Sequence, residues 1–280
     1  MRSDAVQHFQ ELFFSKDLLP NGSVSEYYKQ VSNNNIDLTG EVVGPVRLPH
    51  KLSYYANGNS GMNSSPPNAQ SFAADALSAV DGLINFNPYD NDGNGYVDAF
   101  IVIHAGQGAE ESASRNDLWS LKWVLPQQAR VDNVNIYAFL TVPEDAYIGV
   151  CAHEIGHLVF GWPDLYDIDQ SSEGIGDWCL MAGGSWGGTP PGVRPCHPSA
   201  WCKSSQGWIR LEAPQRKQQL SLGAVEQDDV VYRLWSKGDT SSKEYFLLEN
   251  REPIDYDTSL PGFGLLGQNH FSCLSSHDLC

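Results

Sequence analysis

Long apolar runs are missing from this chain. No stretch of 18 consecutive apolar residues occurs in its 280, so no transmembrane helix is expected. Basic residues are scarce as well. Seventeen Lys and Arg stand against 34 Asp and Glu, for a net charge of −17. A nucleic-acid-binding surface needs clustered Lys and Arg, so nucleic acid is excluded as a partner class. The six cysteines (Cys151, Cys179, Cys196, Cys202, Cys273 and Cys280) contain no C-x-x-C pair, which removes the usual cysteine zinc spacing. Cys196 and Cys202 are close enough for a local disulfide, but spacing alone selects no pairing. The opening MRSDAVQHFQELFF has no signal-peptide core followed by a small-residue cleavage site. Read alone, that start fits an intracellular protein or a chain whose true N-terminus lies upstream. No internal repeat occurs.

What is present supports a globular protein: 41% hydrophobic residues and 8 Trp are enough for one large core, or for two subdomains around a cleft. Apolar spacing predicts a helix over 5–14. Ser23-Val24-Ser25-Glu26 reads as a capping box opening a helix over 24–31. Residues 36–48, β-branched and broken by Gly40, Gly44 and Pro45, predict two short strands around a bend. A backing helix is expected over 69–84, then strands over 99–104, 118–125 and 134–142. A helix over 147–160 follows, stopped by Gly161 and Pro163. Beyond it come Gly-rich turns, a helix over 198–205, and strands over 218–222, 230–235 and 245–248. The order predicts a mixed α/β (α+β) fold with a mixed sheet, a backing helix and a helix that carries the chemistry.

That helix reads CAHEIGHLVFGWPDLYD over 151–167. Its centre is the H-E-x-x-H pattern, His153 to His157. Positions i and i+4 share one helix face, so both imidazoles can reach one metal ion. Glu154 sits about 100° further round, beside the position a water would take. A catalytic zinc takes a third protein ligand and leaves the fourth position open. Asp164, just past the Gly161 turn, is the first candidate; Asp167, Asp169, Glu173 and Asp177 are alternatives. The blander reading is a buried helix with two hydrogen-bonded histidines. Zinc is the cofactor this motif calls for.

A second oxygen-rich stretch precedes the first central strand. Asp90, Asp92, Asn94 and Asp98, with the Tyr96 carbonyl and Gly95 at the turn, match ligand positions of a calcium loop of the EF-hand type. The twelfth position, normally a bidentate Glu, is Ile101. A structural calcium is expected here, against the alternative of a metal-free Asx turn. Glu110 and Glu111 are further candidates for it.

HEIGHLVFGWPDLYD followed by GIGDWCLMAGGSWGG resembles the immune inhibitor A family of secreted metallopeptidases. GSVSEYYKQVS, DLTGEVVGPVRLP, YDNDGNGYVDAFIVIHAGQGAEE, HPSAWCKSSQGWI and YFLLENRE resemble that family's blocks in the same order. The resemblance runs from about residue 22 to 266. It implies a zincin-type catalytic domain, a zinc endopeptidase with His153 and His157 as ligands and Glu154 as general base, and protein or peptide substrates. It also implies secretion, with a signal and propeptide preceding this region. Met181 falls where such enzymes carry a methionine turn. Gly161 and Asp164 each lie one residue further from the first His than the metzincin pattern has them. The resemblance divides the chain into an upper subdomain over 1–160, a lower one over 161–266 with the third ligand and Met181, and a divergent tail over 267–280. A rival reading is a calcium-stabilised extracellular binding module whose metal site is inactive.

Overall fold

The computed structural model describes residues 3–271, other than 170, 236, 237 and 240. The chain forms two compact units. The first comprises Met1–Tyr27, Leu38–Asp164 and Thr189–Val193; the second comprises Tyr28–Asp37, Leu165–Gly188 and Arg194–Cys280. The division at Asp164 compares with the boundary after residue 160 expected from the sequence.

Local rules set the first elements. Helix α1 (Ala5–Phe14) buries Ala5, Phe9, Leu12 and Phe13, three to four residues apart on one face. Helix α2 (Val24–Val31) opens on the expected capping box: Glu26 N–H donates to Ser23 Oγ at 3.2 Å, and Ser23 N–H donates to the Glu26 carboxylate at 2.8 Å. A short helix α3 (Leu52–Ala56) ends at Asn57, in the left-handed region. Helix α4 (Ala69–Val80) is capped by Asn68, whose side chain accepts from Ser71 N–H at 3.1 Å.

Three strands make the sheet of the first unit: β1 (Ile101–His104), β2 (Leu121–Val131) and β3 (Val134–Pro143), with the short helix α5 (Ala109–Ser112) between β1 and β2. The order is β1-β3-β2, with β1 parallel and β2 antiparallel to β3. Asp132 and Asn133 both take positive φ in the two-residue β2–β3 turn, as a primed hairpin turn requires. Phe72, Leu77, Phe86, Phe100, Leu125, Ile136 and Phe139 fill the core between α4 and this sheet. Helix α6 (Ile148–Leu158) packs on β3 and buries Ile148, Cys151, Ala152 and Ile155.

In the second unit, helix α7 (Ala200–Ser205) packs with a sheet of order β4-β5-β6-β7. Its strands are β4 (Arg210–Glu212), β5 (Val230–Trp235), β6 (Glu244–Arg251) and β7 (Gly264–Phe271). Ala200, Ile209, Val225, Val231, Tyr245 and Leu247 form its core. Next to it lies a fully buried cluster of ionisable side chains. Arg251 donates to both oxygens of Asp257, at 2.7 and 2.8 Å, and lies 3.4 Å from Glu249 and 3.6 Å from Glu226. A bidentate pair of this kind holds its geometry where single contacts do not.

The fold is mixed α/β, as the sequence led one to expect, with three differences. Residues 36–48 form no strand. Their backbone bonds to a side chain of α1 instead: Gln10 Nε2 donates to the Gly40 carbonyl at 3.3 Å, and Val42 N–H donates to Gln10 Oε1 at 3.0 Å. Residues 218–222 are likewise not a strand, and β4 takes the edge beside β5. Finally, residues 267–271, the start of the stretch whose sequence diverges from the family, belong to β7. They continue its ladder with β6, from Gly264↔Arg251 to Phe271↔Glu244. Residues 272–280, with Cys273 and Cys280, lie outside the described residues.

Candidate metal centre

Helix α6 carries His153, Glu154 and His157, and its end decides what they meet. Val159 N–H closes the last turn on the Ile155 carbonyl at 2.8 Å. Gly161 then takes φ +67°, a conformation that costs glycine little and reverses the chain at once. Trp162, 2% exposed, folds back under the helix, and its N–H donates to the Gly156 carbonyl at 3.1 Å. Two residues later Asp164 faces the two imidazoles.

The three side chains converge. Asp164 Oδ1 lies 3.1 Å from His153 Nε2 and 3.2 Å from His157 Nε2, and the two Nε2 atoms are 3.0 Å apart. Each of these atoms carries a lone pair directed into one small space. Bonds of 2.0–2.1 Å at the tetrahedral angle place ligand atoms roughly 3.3 Å apart, close to the triangle observed. The donor set therefore fits a borderline-soft divalent cation. His157 Nδ1 donates to the Trp162 carbonyl at 2.6 Å, which fixes the tautomer and leaves Nε2 free to ligate. Burial works to raise the Asp164 pKa, but the two imidazoles overcome it and hold the carboxyl well below the ordinary carboxylate range.

Glu154 is 5% exposed, and its Oε2 has no hydrogen-bond partner among the described residues. Burial pushes its pKa up to about 7. The charges of His153 and His157 pull it down, and those of Asp164 and Glu110 add to the rise. A carboxyl poised near neutrality, with one oxygen unengaged, is equipped to take and return a proton.

The acidic loop before β1 is also assembled. Asp90, Asp92 and Asp98 each bring a carboxylate oxygen within 4.8 Å of the others. Gly95 N–H donates to Asp90 Oδ2 at 3.0 Å, Asn94 N–H to Asp92 Oδ1 at 3.0 Å, and Tyr96 N–H to Asn94 Oδ1 at 2.8 Å. The Gly95 carbonyl accepts from Asn135 of β3, which pins the loop to the sheet. Asp90 Oδ1 is buried and unpartnered.

Other sequence candidates take different posts. Glu110 does not join that loop; its carboxylate accepts from the Ser120 hydroxyl and from Ser120 N–H at 3.2 Å. Asp167 accepts from Ser171 and Ser172 within its own turn, and Asp169 from Ser171 N–H. Two histidines outside the centre are also buried: His104, 2% exposed, has Nδ1 on the Ala105 carbonyl, and His197 Nδ1 lies 2.7 Å from Lys203 Nζ. Met181 is fully buried, and its carbonyl accepts from Leu165 N–H at 2.7 Å. No disulfide links the four described cysteines to one another, and Cys151, Cys179, Cys196 and Cys202 are all buried. The local Cys196–Cys202 bridge that spacing allows is not formed, because the Cys202 thiol hydrogen-bonds Cys179. Sequence reasoning missed the Trp162 carbonyl as the anchor of His157. Its only trace is the Gly-Trp-Pro stop, which marks a turn without saying which carbonyl it presents.

Comparison with known proteins bears on this site. Residues 3–211 match the immune inhibitor A peptidase M6 catalytic domain. The chain is 30% identical to the pre-pro-metalloprotease PrtV of Vibrio cholerae serotype O1 over 278 residues, covering 84% of this chain and 29% of that protein. It is 30% identical to immune inhibitor A of Bacillus thuringiensis subsp. alesti over 228 residues, covering 68% of this chain and 33% of that one. The chain thus spans about a third of the length of these relatives.

Proposed function

The chain belongs to the immune inhibitor A (M6) peptidase family, and from that premise we propose that it is a zinc-dependent endopeptidase acting on protein substrates. One observation carries the reading: the triangle of His153 Nε2, His157 Nε2 and Asp164 Oδ1, with the unengaged Oε2 of Glu154 on the helix position after His153. These three residues would hold the ion. Zinc, when bound, polarises a scissile carbonyl and lowers the pKa of water toward about 7. Glu154 accepts the water's proton and delivers it to the leaving amine. The Trp162 carbonyl keeps the His157 ring oriented, and Asp164 contributes the one anionic ligand. Replacing Glu154 by Gln should preserve one zinc per chain and reduce casein hydrolysis by about 10²–10⁴-fold. Zinc retention with unchanged turnover would overturn the role of Glu154. Cleavage of peptides blocked at both ends distinguishes an endopeptidase from an aminopeptidase.

The loop of Asp90, Asp92, Asn94, Tyr96 and Asp98 is read as a structural calcium site, supported by its converging carboxylates and the buried, unpartnered Asp90 Oδ1. Calcium should raise the thermal midpoint, and Asp92→Ala should abolish that rise. An extracellular location accords with the family resemblance. It is tested by finding the protein in culture medium rather than in the cell fraction. The rival binding module predicts calcium-dependent stability with no chelator-sensitive cleavage at all.

A further inference from the structure

Three thiols of the second unit are buried near α7, and they are not equivalent. Cys179 and Cys202 are 0% exposed. Cys179 Sγ accepts from three directions: from the Cys202 thiol, from Met181 N–H at 3.4 Å and from Ser199 N–H at 3.2 Å. Ser199 in turn caps α7, accepting from Cys202 N–H at 3.4 Å, so one residue positions both cysteines. Cys196 is turned elsewhere, its S–H directed at the Asp177 and His197 carbonyls at 3.4 Å each.

We propose that Cys179 and Cys202 form a disulfide, made while the chain folds by exchange with a low-molecular-weight disulfide such as oxidised glutathione. The Cys179 thiolate attacks one glutathione sulfur, and the first glutathione thiolate leaves. Cys202 then gives up its proton, and its sulfur attacks Cys179 Sγ, expelling the second glutathione. The protein loses two electrons and two protons; the glutathione disulfide gains both and ends as two thiols. Because both sulfurs are inaccessible in the folded state, the exchange precedes closure of this core. The bond would fasten the segment carrying Met181 to α7.

The test uses the full chain, refolded in a reduced and oxidised glutathione buffer, with free thiols blocked by iodoacetamide in denaturant. Cyanogen bromide cuts after Met62 and Met181, separating 63–181 from 182–280. These fragments should migrate together without reductant and separate with it. Cys179→Ser and Cys202→Ser should each release them; Cys151→Ser and Cys196→Ser should not. Proteolytic mapping of the wild-type chain needs no variant to fold, and should give a reducible peptide joining residues 179 and 202. Fragments that separate without reductant, or that stay linked in Cys179→Ser, would overturn the proposal. A thermal midpoint that falls with dithiothreitol in the wild type and not in Cys179→Ser would support it.

Discussion

Single residues decide how the centre closes. His153, Glu154 and His157 were legible because helical spacing alone puts them on adjacent positions of one turn. Asp164 was legible only as one acid among five. Its position depends on Gly161, Trp162 and Pro163 together, and a backbone reversal leaves no periodic trace. In the structure it touches both imidazoles, while Asp167 is consumed by Ser171 and Ser172. Asp164→Ala should therefore weaken zinc binding by more than about 100-fold, beyond the cost of losing an outer hydrogen-bond partner. Asp167→Ala should leave it unchanged in the same competition with a chelating dye. Gly161→Ala isolates the turn. No atom lies within 4 Å of the added Cβ, so only the backbone conformation resists it. Unfolding by urea should show a loss of about 1–2 kcal/mol.

Elements followed the sequence wherever their own residues hold them. Helices α1 and α2 and strand β5 occupy the expected spans, because apolar spacing, a capping box and β-branched residues are local signals. Residues 36–48 had the composition of strands but no ladder, since a strand exists only through its neighbour and Gln10 supplies those bonds instead. The last strand left no sequence signal for the opposite reason: residues 267–271 diverge from the family's sequence yet meet a β6 edge. Two substitutions test the local account. Asn68→Ala removes the cap of α4 and should cost about 1 kcal/mol in denaturant unfolding. Gly184→Ala would drive a methyl into Cys196 Sγ and the Cys179 backbone, and backbone cannot step aside. Its loss should exceed the roughly 1–3 kcal/mol typical of overpacking, read as a failure to accumulate folded protein.

At the scale of the whole molecule, buried charge and chain path matter most. Nothing in the sequence announced that the side chains of Arg251, Glu226, Glu249 and Asp257 would share a dry interior. Burial, reinforced by Asp257, pushes Glu226 up to about 8 from its ordinary 4.5. Between those values the folded chain keeps a proton that the unfolded chain has lost. Its contribution to stability is full below pH 4.5 and fades as pH rises toward 8. Glu226→Gln should flatten the decline in melting temperature between pH 5 and 8. The chain path has another effect. Residues Thr189–Val193 belong to the first unit although their neighbours on both sides belong to the second. Among them, Gly192 offers its carbonyl to Gly149 N–H, in the first turn of α6, at 2.9 Å. A growing polypeptide that has emerged only as far as Asp164 already contains both histidines, Glu154 and Asp164 itself, yet its central helix still lacks that contact. About thirty further residues must leave the ribosome before the helix that holds the motif is secured, so completion of the candidate metal centre is timed to the later part of synthesis.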